Sequence, residues 1–99
     1  MSNIQEVITF EDVLAYLGID YADDMVYKNI ENAINYADGE LRESVGDDYP
    51  VDHPLAPELA LLYAAASYEK RDLAGNEAKR ANDIALKLRL YLKRRGVNG

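Results

Sequence analysis

The 99-residue chain has no cysteine and no tryptophan, a single phenylalanine, a single histidine and three prolines. Without cysteine there is no disulfide framework, no thiolate nucleophile and no zinc–thiolate site. That absence fits a reducing compartment. No apolar run reaches the ~18 residues of a membrane span. The start, M-S-N-I-Q-E, lacks the basic and apolar regions of a signal peptide. The expectation is a protein made in the cytoplasm, and used there or assembled there into something larger. Neither G-x-x-x-x-G-K nor G-x-G-x-x-G occurs, which removes the common phosphate loops. One histidine and no cysteine leave few nucleophile–base pairs. No enzyme activity, cofactor or metal is expected.

Basic residues are scarce in the first part of the chain. Up to Glu58, only Lys28 and Arg42 oppose fourteen acids, a balance of −12. From Leu59 onward, nine basic residues oppose Glu69, Asp72, Glu77 and Asp83, a balance of +5, and the whole chain carries −7. One reading is ordinary helix chemistry, with acids at helix starts and bases at helix ends. The other is a molecule with an acidic side and a basic side, suited to head-to-tail association with its own copies. The net charge argues against general duplex binding, which requires phosphate neutralisation.

What is present organises itself around L-A-P-E-L-A-L-L-Y-A-A-A-S-Y-E-K-R, Leu55 to Arg71. Pro57 suits a first helical position, where its missing N–H costs nothing. From Leu59 to Ala66 the stretch is apolar on every side, the pattern of a helix buried all round. Ala64, Ala65 and Ala66 are small enough to let other helices approach closely. The polar Tyr68-Glu69-Lys70-Arg71 is where this helix is expected to surface. Glu69 and Arg71 read as a structural ion pair there.

Upstream, Thr9 and Asp12 form a capping-box pattern, and Ile8 and Val13 have the spacing of a hydrophobic staple. Phe10, Val13, Leu14 and Leu17 make one apolar stripe. Gly18 fits the left-handed position after the helix, with Ile19 folding back towards Leu14. An acid-led second helix is expected from Asp23 to Val45. At ~100° per residue, Val26, Ile30, Ala33, Ile34, Ala37 and Leu41 share its buried face. The opposite face holds Asn29, Asn32, Asn35 and Gly39, weak helix formers where Glu and Lys would be ordinary. It is either a tolerant surface or a face that meets another subunit. Asp47–Pro54 is a loop with two of the prolines.

The last helix is expected from about Glu77 to Arg95, with Ala78, Ala81, Ile84, Ala85, Leu88 and Leu92 inward. Leu86 and Leu90 fall opposite that stripe, beside Lys79 and Lys93. They are accidental exposure or an anchor for a partner. The remainder is read as a flexible basic tail from about residue 94. The expected fold is all-α: a small bundle of four main helices around a central buried helix at about 55–71, forming a single domain over 1–99.

Two clusters invite a metal reading. Asp20, Asp23, Asp24 and Glu31 have part of a calcium-loop spacing, but Ala22 takes a ligand position and Met25 stands where the loop glycine belongs. Asp47, Asp48, Asp52 and His53 are acids with a lone histidine in a proline-rich loop, a surface pattern. Eight tyrosines exceed what a core of this size needs. The surplus suits an interaction protein, since tyrosine favours half-wet interfaces.

Three stretches together resemble a known family: I-T-F-E-D-V-L-A-Y-L-G-I-D at Ile8–Asp20, the acid-led helix Asp23–Val45, and the apolar helix closing in Tyr68-Glu69-Lys70-Arg71. The chain is similar to the small head–tail connector (adaptor) proteins of tailed phages, the DNA-packaging connector family. The likeness runs from Ile8 to Arg71 and more weakly to Arg95. Two features depart from it: Asp38-Gly39, expected to interrupt the second helix, and the long basic last helix. The resemblance implies an all-α virion subunit without catalysis or cofactor, forming a ring that is commonly twelvefold. That ring sits beneath the portal protein, continues the DNA channel and meets tail or stopper proteins. An acidic inner wall would let DNA slide without sticking. Asn32, Asn35, Gly39, Lys79, Leu86, Leu90 and Lys93 are the expected subunit-interface residues. The alternative is a small helical regulator, of antitoxin or anti-repressor type, using its acidic half against a basic partner. A weaker alternative is DNA binding by the basic last helix.

Overall fold

The computed structural model describes residues 2–95. It contains helices α1 (Phe10–Leu17), α2 (Asp24–Ser44), α3 (Ala56–Tyr68) and α4 (Gly75–Arg94), preceded by a short 3₁₀ turn at Ile4–Glu6, and no strand among the described residues. The radius of gyration is 13.6 Å, close to the ~13 Å of a compact chain of about 100 residues. Among the described residues no helix is long and apolar enough to cross a membrane.

Local chemistry sets most of the boundaries. Thr9 accepts a hydrogen bond from the Asp12 N–H at 3.1 Å, and Asp12 Oδ2 accepts one from the Thr9 N–H at 2.9 Å. The capping box is therefore complete, and Ile8 and Val13, flanking it, are both buried. At the other end of α1, Gly18 adopts φ +72° while the Ile19 N–H donates to the Leu14 carbonyl. Asp23 caps α2 by accepting from the Val26 N–H at 2.9 Å.

Three boundaries differ from the sequence expectation. Helix α2 is continuous through Asp38-Gly39. Asp38 stays helical because its carboxylate bonds to Arg42 one turn on and to Tyr49, and one exposed glycine costs a helix only ~1 kcal/mol. Helix α3 stops at Tyr68, three residues short of Arg71. Lys70 takes φ +55°, its N–H donates to the Ser67 carbonyl, and the Arg71 N–H donates to the Ala66 carbonyl. That is a Schellman closure with a lysine in the place glycine usually fills. Helix α4 begins at Gly75, two residues before Glu77, with Ala74 as an extended cap and Gly75 at φ +57°. The tail expected beyond residue 94 starts from Arg94, still helical, and Arg95; residues 96–99 lie outside the described residues.

Packing follows the apolar patterns. On α3, Leu59, Ala60, Leu62, Tyr63 and Ala64–Ala66 are all buried. α1, α2 and α4 each pack on α3, with α2 making the most extensive contact. Helix α2 buries Ile30, Ala33, Ile34, Ala37 and Leu41, and α4 buries Ala81, Ile84, Ala85 and Leu88. Leu59→Ala is expected to lower the unfolding free energy by ~2–5 kcal/mol, measured by urea denaturation, since the side chain is fully buried. Lys70→Gly is expected to raise stability by up to ~1–2 kcal/mol, because a side chain at positive φ is strained; an unchanged midpoint would show that the lysine sits there without strain.

Candidate interaction surfaces

The inward stripe of α4 fixes what its other side presents. Lys79, Leu86, Leu90 and Lys93 all lie on the exposed side, with Leu86 at 49% and Leu90 at 43% exposure. Asp83 shares that face and is also exposed. Leu90 borders a shallow groove of about 250 Å³ shared with His53, Tyr91 and Arg94. His53 is committed locally. Its Nδ1 accepts from the Leu55 N–H at 3.0 Å, and its ring meets Tyr91 edge-on with centroids 4.6 Å apart.

On α2, Asn32, Asn35 and Gly39 are exposed. A Cβ at Gly39 would meet nothing within 4 Å, so nothing within one copy demands a glycine there. Asn35 reaches the edge of a larger groove, of about 340 Å³, between α2, α1 and the 3₁₀ turn. Phe10 and Tyr27 line it with ring centroids 5.3 Å apart, and Glu11 and Glu31 stand at its rim. The sequence reading did not single out this groove. Its signal was the surplus of tyrosines. Asn32 and Gly39 do not line it. The two sets of expected interface residues are not brought together within one copy. α3 packs against both α2 and α4. α4 does touch the end of α2 through Arg89, whose Nη1 donates to the Ser44 carbonyl at 2.6 Å.

The sequence reading also missed a polar latch around Asp38. Tyr49 is 1% exposed, and its hydroxyl donates to Asp38 Oδ1 at 2.6 Å. Arg42 donates to Asp38 Oδ2 at 3.1 Å, to the Ser2 carbonyl at 2.7 Å and to the Asp47 carbonyl at 3.3 Å, and its guanidinium lies 5.6 Å from the Tyr49 ring centre. Ser2 donates its hydroxyl to the Tyr49 carbonyl and its N–H to the Asp47 carbonyl. The i, i+4 spacing of Asp38 and Arg42 was a readable hint; the return of Ser2 and Tyr49 was not. Elsewhere Arg71 pairs with Glu69 and Glu77, each at 2.7 Å, so the expected Glu69–Arg71 pair is present and also ties down the start of α4. Arg80 makes a two-pronged pair with Glu58, joining α4 to the start of α3.

Asp23 is occupied as a helix cap. Among the described residues no group of three or more His, Asp or Glu side chains converges as a metal cage would require. The perturbed groups are mainly tyrosines and surface ion pairs. Burial, then the bond to Asp38, pushes the Tyr49 hydroxyl well above its ordinary 10.0. Burial also raises the Tyr63 hydroxyl above its ordinary value; that hydroxyl donates to Ser44 Oγ at 3.1 Å.

No protein-family model, curated protein or solved structure matches this chain.

Tyr49→Phe is expected to cost ~1.5–3 kcal/mol at neutral pH, because it removes a buried bond to a charged acceptor. The raised hydroxyl also gives a sign in alkali. The unfolded chain releases this proton near pH 10.0, while the folded state holds it. Stability is therefore fully present below pH 10 and falls as pH rises above it. Denaturation midpoints followed from pH 9 upward should fall less steeply in Tyr49→Phe than in the parent chain.

Proposed function

We propose that this chain is a ring-forming structural subunit of the tailed-phage head–tail connector type. One observation supports the reading: α2 and α4 both pack on α3, and their exposed sides are unlike, with Leu86 and Leu90 among lysines on α4 and Asn32, Asn35 and Gly39 on α2. A subunit that offers two different faces to its neighbours meets them head to tail, and such a contact closes into a ring when the rotation allows. The stretches on which the family resemblance was drawn, Ile8–Asp20, Asp23–Val45 and Tyr68–Arg71, fall on a capped helix, a long helix and a helix exit.

In this reading α3 is the central rod of each subunit. Leu86, Leu90, Lys79 and Lys93 of one copy pack on α2 of the next, near Asn32, Asn35 and Gly39. The leucines supply the affinity and the charges the orientation, because rim charges mainly steer association. The ring works in the virion, at the portal vertex, between the portal protein and tail or stopper proteins. DNA passes through its acidic channel without specific binding. There is no catalysis and no cofactor.

Light scattering across a concentration series tests this. The parent chain should assemble into closed rings as concentration rises, whereas a regulator of antitoxin type would stay monomeric or dimeric. Leu86→Glu with Leu90→Glu should remain helical by circular dichroism and lose the assemblies. A double variant that still assembles, or that unfolds, removes those leucines from the interface.

A further inference from the structure

The ring reading leaves open what the leucines enter. Of the three grooves beside the candidate faces, the one against α4 already includes Leu90 itself, with Lys87 and Arg94. It is basic and cannot receive a basic ridge. The groove between α1, α2 and the 3₁₀ turn is its complement. Ile8, Phe10, Tyr27 and Ile34 supply its apolar lining. Its charged lining residues, Glu11 and Glu31, are both acidic. The α4 ridge has the opposite make-up: Leu86 and Leu90 flanked by Lys79, Lys87 and Lys93, against the single acid Asp83. Two leucines four residues apart make a ridge about 6 Å long on a helix.

We infer that the occupant of the Phe10–Tyr27 groove is α4 of a second copy of this chain, with Leu86 and Leu90 against the two aromatic rings and its lysines facing Glu11 and Glu31. This rests on the ring reading and narrows it: the seat shifts from the open α2 face to its Asn35 edge, over α1. The shift has a physical basis. The groove beside Asn32 and Gly39, lined by Tyr36, Glu40, Tyr63, Arg71 and Asp72, is smaller, at about 180 Å³, and holds the basic Arg71, whereas the larger Phe10–Tyr27 groove has no basic lining residue and lets leucine leave water against apolar side chains. An acidic rim then selects a basic ridge over the acidic first part of another copy.

The absence of native cysteine makes the contact testable, because any engineered thiol is the only one. Three single variants, Gln5→Cys in the groove, Gly39→Cys on the open α2 face and Leu90→Cys on the ridge, are all at exposed positions. Position 39 lies twelve residues, about 18 Å along the helix, from Tyr27. Mixed with Leu90→Cys and treated with a short bis-maleimide, Gln5→Cys should give a crosslinked dimer and Gly39→Cys should not. A charge exchange provides the second arm. Glu11→Lys with Glu31→Lys should fail to assemble alone, as should Lys79→Glu with Lys87→Glu and Lys93→Glu, and mixing the two should restore assembly. If the parent chain forms rings but Leu90→Cys links only to Gly39→Cys, or each charge variant assembles alone, the groove is not the seat while the ring reading stands. If the parent chain never exceeds a dimer, the ring reading and this seat fall together.

Discussion

The seating of α2 on α3 is the contact on which the rest of the molecule depends. Ala33 and Ala37 on α2 and Ala56, Ala60 and Ala64 on α3 are all essentially without exposure. Small side chains let helices approach closely, and the larger Ile30, Leu41 and Leu59 then fill the space between them. With α3 covered on that side by α2, its remaining surface receives α1 and α4. The outward faces follow from this. Once one stripe of each helix is committed to α3, the opposite stripe has no choice but to face outward.

Polar interactions play a second, more local part. The Asp38–Arg42–Tyr49 latch gathers α2, the loop after it and the chain's beginning into one hydrogen-bonded unit. It gives the buried Tyr49 hydroxyl a partner, and a buried hydroxyl without one would be costly. The ion pairs Arg71–Glu77 and Arg80–Glu58 lie at half-exposed positions. Pairs of that kind add little stability; here they link the first turns of α4 to the exit and the first turn of α3.

The proposed ring uses both consequences. The α2–α3–α4 order separates an acidic, groove-bearing side from a basic ridge, so neither can satisfy the other within one copy. In the proposed ring, head-to-tail contact would resolve this geometry, and the charge split would favour it over like-with-like pairing. An acidic wall facing the channel would keep DNA moving, since like charges repel.

Much of this was legible in the residues. Helix α1 is written locally from Thr9 to Gly18, because caps, staples and left-handed closures involve neighbours in sequence. The inward stripes of α2 and α4 are equally readable, since helical period decides them before any partner is known. The exposure of Leu86, Leu90, Asn32, Asn35 and Gly39 follows from the same period. What the tertiary structure alone decided needed groups far apart in the chain. Lys70 ends α3 early in a left-handed turn that no glycine announced, and Asp38-Gly39 continues α2 because Tyr49, eleven residues on, returns to bond the carboxylate. The Phe10–Tyr27 groove exists only because α1 folds back over α2. Residue spacing along one helix fixes a face, but a concavity requires two elements whose relative placement is set by burial against a third.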